Sequence, residues 1–233
     1  MKDLKELTNL LVAETDKSRQ VEILQKINEK LLTEYVIKIS DEFIVYPLHV
    51  EAYYYHPGKF EDENTHGFKT PVAYKWQSDR FGKLYSHIIG WGGVDICLSD
   101  GDYCLSFLIK ASKIKKNEEE PVFIKQTGLY NQLNKTEGIK EKQVLAPDEK
   151  KIRSTKYIFQ TIRKGLKNET FKEEKLAALT ELERKYNHTF AFETGHGKRQ
   201  LVRDYMKLHH IMPAETGMTN IEREIFRMAM RPR

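Results

Sequence analysis

Glu51 is the residue whose position most demands a chemical reason. It stands in the stretch 45–55, VYPLHVEAYYY, between Val50 and Ala52, where alternating apolar and polar residues predict a half-buried strand. A carboxylate there is either the solvent-facing phase of an edge strand or a group held in a cleft for acid–base chemistry. Tyr53, Tyr54 and Tyr55 follow it, and at least one of the three is expected to be plain packing. His66, in a polar loop, and His87, near a glycine-punctuated bend, are each ordinary polar residues when taken alone. Asp95 and Lys110 fall on two further predicted strands. With Glu51 they could make the acidic and basic cluster of a metal-dependent nuclease, but Leu108 stands where such a site usually has an acid, two residues before the lysine. The acidic run Glu61-Asp62-Glu63 reads as a solvated loop, with magnesium ligation as the alternative.

These residues need elements to position them. Apolar residues three and four apart predict amphipathic helices over 4–14 and 19–34, with Asp16 or Ser18 as the cap of the second. Strands are expected at 35–39 and 43–55, then a long polar loop over 56–70. Further strands are expected at 84–89, 94–99 and 103–114, the last two joined by the turn Ser99-Asp100-Gly101-Asp102. Helical patterns follow at 121–134, 153–165, 171–186, 198–209 and 219–230, with flexible connections at 117–120 and 138–151. The expected fold class is α+β: N-terminal helices, a curved and mainly antiparallel sheet, then a largely helical C-terminal half. The expected organisation is one domain over 1–233, with a β-rich core at about 35–114 and a helical extension at about 121–233.

A chain of 233 residues with 39% hydrophobic and 31% charged residues has the balance of a soluble globular protein with a substantial core. No stretch approaches a transmembrane length of apolar residues, and the first residues lack the pattern of a signal peptide. Cys97 and Cys104 have no metal-site companions at the usual spacing and read as two buried thiols in a reducing compartment. The expected location is the cytoplasm. The formal charge of +5 is uneven: residues 111–168 hold 14 Lys and Arg against 7 Asp and Glu. Such a basic section is either a polyanion-facing side or an exposed lysine-rich linker.

The central block resembles the alkyladenine (methylpurine or 3-methyladenine) DNA glycosylases of the mammalian type. The motifs that carry the resemblance are Glu51-Ala52-Tyr53, His66, Thr70-Pro71, Gly82-Lys83-Leu84-Tyr85, Trp91-Gly92 and Leu108-Ile109-Lys110-Ala111, in that order, over roughly residues 24–114. The resemblance implies that Glu51 is a general base, activating a water against the sugar carbon of a flipped nucleotide. It implies that Tyr53, His66 and His87 hold the base between flat faces, and that Trp91 is the wedge filling the hole left in the duplex. Lys110 takes the place of an arginine, keeping the charge but not the bidentate geometry. Gly197 and Lys198, in the run Gly195-His196-Gly197-Lys198, echo a phosphate-binding turn but come far later in the chain than in the family. The loop between Glu51 and His66 is longer than in the family, and the Thr-Pro pair lacks the Arg-Asn that should follow. Double-stranded DNA is the implied partner, with no cofactor, no metal, no membrane and a monomeric protein. A non-catalytic nucleic-acid-binding or partner-binding protein on the same scaffold is the alternative.

Overall fold

The computed structural model describes residues 1–87, 92–149, 158–163 and 165–180. Two helices open the chain, α1 (Lys2–Ala13) and α2 (Lys17–Thr33). Leu4, Thr8 and Leu11 line the buried face of α1, and Leu24, Ile27, Asn28 and Leu31 that of α2. This is the three-and-four spacing that puts side chains on one helical stripe. Asp16 caps α2, accepting from the Arg19 N–H at 2.9 Å, and so satisfies one of the amides that a helix start leaves without a partner. Asp16→Ala is expected to cost about 1 kcal/mol. In urea unfolding that would be a lower midpoint at unchanged slope.

The helices cover one face of a curled antiparallel half-barrel. Its first strands are β1 (Tyr35–Lys38), β2 (Phe43–His56) and β3 (Phe60–Glu61). After two short helices, α3 (His66–Lys69) and α4 (Pro71–Gln77), come β4 (Leu84–His87), β5 (Gly93–Cys97) and β6 (Cys104–Lys116). The long strands β2 and β6 pair from Phe43 opposite Lys116 to Tyr55 opposite Cys104. The register slips on either side of His49, next to Pro47, which has no N–H to give to the ladder. Irregularities of this kind bend a strand and increase its twist.

The free edge of β2 is covered along its length by β1, β3 and a late strand, β10 (Ala177–Leu179). Glu51 therefore lies between Leu108 of β6 and Ala177 of β10, in the middle of the sheet. The edge-strand reading of Glu51 does not survive this topology. Because strand side chains alternate, Val50, Ala52 and Tyr54 share a face with Phe107 and Ile109 and join the hydrophobic core with α1 and α2. Glu51, Tyr53, Ser106, Leu108 and Asp95 fall on the opposite face.

The α+β expectation with a largely helical C-terminal half is corrected. The stretch expected to be helical over 121–134 begins as β7 (Val122–Lys125), paired with β6, and only α5 (Gln126–Leu133) is helix. Within the pattern at 153–165 the structure places β9 (Phe159–Thr161), and within 171–186 it places β10. Leu176, Ala177, Ala178 and Leu179 are all fully buried. A short apolar run buried on both faces has the same periodicity in a strand as in a core helix, and pairing with β2 selects the strand. The connection at 138–151 contains a 3₁₀ turn, Ile139–Glu141, and β8 (Leu145–Pro147), which pairs with β1. The helical patterns at 198–209 and 219–230 lie outside the described residues. No helix among the described residues is long and apolar enough to cross a membrane.

Candidate active site

The face of β2 opposite the helix-covered core sets two site residues, Glu51 and Tyr53, one pleat repeat apart. Glu51 is 1% exposed, its Oε2 accepting from the Tyr53 hydroxyl at 3.0 Å and lying 3.7 Å from Lys110 Nζ. A carboxylate is taken out of water only with such partners in place. Burial and the neighbouring Glu51 carboxylate push the Tyr53 phenol well above its ordinary range, so it remains a donor.

Across β6, Asp95 on β5 is 2% exposed, a charge in the otherwise apolar run VDICL. Its Oδ1 lies 3.0 Å from His87 Nε2, and its Oδ2 accepts from Ser106 Oγ at 2.9 Å and from Gln77 Nε2 at 3.4 Å. Burial lowers the His87 pKa, but the charge and hydrogen bond of Asp95 outweigh it, and the net shift is upward. His66 is brought in by α3. Its ring centroid stands 4.9 Å from that of His87 at 81°, and Tyr85 meets His87 edge-on at 5.2 Å. Burial and the adjacent His87 push His66 down.

The placement of α3 depends on Gly67, whose N–H donates to Gln77 Oε1 at 2.9 Å and whose missing Cβ would lie 2.3 Å from Cys104 Sγ. Gly67→Ala is expected to destabilise by about 1–3 kcal/mol through overpacking. Thermal unfolding reads this directly, and an unchanged midpoint would show that the helix gives way without cost. Cys97 and Cys104 are free and buried, and burial pushes the Cys104 thiol up to about 12, so neither is a reactive thiolate at neutral pH.

Tyr53, His66 and His87, with Asn64, Lys69, Asp95, Ser106 and Leu108, line one hollow of about 170 Å³. Glu51 does not line it, but is joined to it by the Tyr53 hydroxyl. The hollow is braced from behind by Arg163, whose side chain is fully buried. Its Nη1 donates to Asp62 Oδ2 at 2.5 Å and to the Ala52 carbonyl at 3.0 Å, and its Nη2 reaches the Phe171 carbonyl at 3.4 Å. The guanidinium carbon is 4.6 Å from the centre of the Tyr53 ring. Asp62, expected in a solvated acidic loop, is thus the buried partner of an ion pair.

No known family model matches the chain, and no curated protein matches it. The likeness to the alkyladenine glycosylases rests on the motifs alone.

Of the residues those motifs single out, Glu51, Tyr53, His66, His87 and Lys110 come together around one side of the sheet. Trp91, Gly197 and Lys198 lie outside the described residues. Among the described residues, no group of three or more His, Cys, Asp or Glu side chains is arranged to hold a metal ion. Glu51 and Asp95 stand on opposite sides of Leu108, and the Asp95 oxygens are taken by His87, Ser106 and Gln77. Asp95 carries the same signal in the sequence as Glu51, a charge in an apolar strand. Arg163, Lys69 and Ser106 have no local signal: surface and core versions of these residues look alike in sequence.

Proposed function

We propose that the chain is a DNA base-excision glycosylase that draws a flipped, damaged purine into the hollow and hydrolyses its N-glycosidic bond. The observation that carries this reading is the convergence of three flat rings, Tyr53, His66 and His87, on one hollow wired to the buried Glu51. A sugar losing its base develops positive charge, and a carboxylate shielded from bulk water both stabilises that charge and takes a proton from the attacking water. Lys110 and the Tyr53 hydroxyl orient the carboxylate for this work. Lys69, at the rim of the hollow, supplies a cation for the phosphate beside the flipped nucleotide. His66 and Tyr85 also border a second, mostly apolar hollow of about 260 Å³ that includes Trp76 and Arg80, room for a neighbouring nucleotide. The reaction needs no metal and no organic cofactor, and a monomer acting on double-stranded DNA in the cytoplasm suffices.

The test is release of free base. Purified protein is incubated with duplex DNA carrying a methylated or a deaminated purine, and the liberated base is measured. Release supports the reading. Binding to DNA with a steep salt dependence and no release of any base would instead favour the non-catalytic DNA-binding alternative.

A further inference from the structure

Loss of a base leaves an abasic sugar whose ring opens to an aldehyde, an electrophile for any neutral amine within reach. Lys110 is an amine held against Glu51, its Nζ 3.7 Å from Oε2 and its side chain 24% exposed. A bulge puts it there. Ile109 pairs with Val50 and Ala111 with His49, so Lys110 has no residue opposite it in the β2–β6 ladder. An extra residue of this kind bends the strand and re-aims a side chain, a device common beside active sites. Tyr53 pairs with Ser106 and Glu51 with Leu108, so the steps from Tyr53 to Glu51 and from Ser106 to Lys110 run the same way along the sheet. Tyr53, Ser106 and Leu108 line the hollow, while Glu51 and Lys110 stand just beyond it. A base seated in the hollow leaves its sugar on the side where these two meet.

We propose that Lys110 is a nucleophile that gives this protein a second activity, cleavage of the DNA strand at an abasic site through a Schiff base. The inference rests on the glycosylase reading for the seat of the sugar. A water activated by Glu51 and an amine 3.7 Å from the same carboxylate reach the same sugar carbon in turn, the water before the aldehyde exists and the amine after it. An ammonium group is no nucleophile, and Glu51 is placed to take its proton. The partial exposure of Lys110 leaves it open to a strand lying over this face of the sheet. Lys69, at the rim of the hollow, is the rival amine.

The step balances without an oxidant or a metal. Lys110 passes a proton to Glu51, and the Nζ electron pair forms a bond to the aldehyde carbon. Glu51 returns the proton to the resulting hydroxyl, which leaves as water and gives the iminium. The Glu51 carboxylate then removes a proton from the neighbouring sugar carbon. The freed electron pair expels the 3′ phosphate, so the carbon–oxygen bond breaks and a double bond forms in the sugar. A water hydrolyses the iminium, which restores the Lys110 ammonium and leaves an unsaturated aldehyde on the cut strand. Glu51 gives its last proton to solvent. One water is released and one is consumed.

The test starts from a preformed abasic site, made by removing uracil from a duplex, so it does not depend on base release by this protein. The full chain is incubated with that duplex, with and without sodium cyanoborohydride, which reduces a Schiff base to a stable amine. With the reductant a covalent protein–DNA adduct should form. Without it the strand should be cut 3′ to the site faster than in duplex alone. Both signals should be lost in Lys110→Arg, which keeps the positive charge beside Glu51 and whose folding is checked by thermal unfolding. Peptide mass mapping of the wild-type adduct should place the DNA on Lys110, a result that stands however well the variant folds. No adduct with wild-type protein, an adduct that persists in folded Lys110→Arg, or one that maps to Lys69 or the amine of Met1 would overturn the assignment. None of these outcomes touches the glycosylase reading, which stands or falls on release of free purine.

Discussion

Glu51→Gln should reduce base release by about 10²–10⁴-fold, the usual contribution of a positioned general base, while duplex binding is retained. The glutamine has the shape of the glutamate, and its amide oxygen can still accept the Tyr53 hydroxyl now found 3.0 Å from the carboxylate. What it cannot do is take a proton from water or stabilise a developing cation. It also leaves Lys110, 3.7 Å away and 24% exposed, without that negative partner, and partial exposure lets solvent absorb most of the loss. The effect should therefore fall on the chemical step. Single-turnover release and fluorescence anisotropy at several salt concentrations separate the two quantities. A variant keeping a tenth or more of wild-type release would exclude Glu51 as the base.

Arg163→Met should destabilise the fold by about 3–5 kcal/mol, the scale for breaking a buried ion pair by removing one partner. Asp62 and the Arg163 side chain are both fully buried, so the aspartate would be stranded without its counter-charge. The Ala52 and Phe171 carbonyls would lose a donor at the same time. Replacing both residues, as Asp62→Leu with Arg163→Met, should cost clearly less than Arg163→Met alone, because no uncompensated charge remains. Urea unfolding of the two variants decides the matter. An Arg163→Met protein within about 1 kcal/mol of wild type would mean that water or rearrangement relieves Asp62. Because Arg163 also contacts the Tyr53 ring, surviving folded protein should show weakened base release as well.

Much of the local structure was legible in the sequence because it depends on neighbours. The helices α1 and α2 follow from apolar spacing, and the long strands β2 and β6 from alternation, while for the start of α2 the sequence offered Asp16 or Ser18 and the fold selects Asp16. The C-terminal strands were not legible. The run Leu176–Leu179 lies well over a hundred residues from its partner β2, and nothing in its own composition distinguishes a buried strand from a buried helix turn. Asp62 was misread for the same reason, since its counter-ion Arg163 arrives from a distant segment.

The candidate site divides along the same line. By itself the sequence determined which residue types were available: a carboxylate on an apolar strand, a tyrosine two residues on, two histidines and a lysine. Tertiary structure alone decided that Glu51 is central rather than at an edge, because β10 pairs with it from far along the chain. It alone set Asp95 against His87, and Arg163 behind Tyr53. The physical reason is one of range: helix and strand periodicity are written in residues a few positions apart. Burial of a charge, the choice of its partner and the closing of a hollow are instead settled by contacts between segments that only folding brings together.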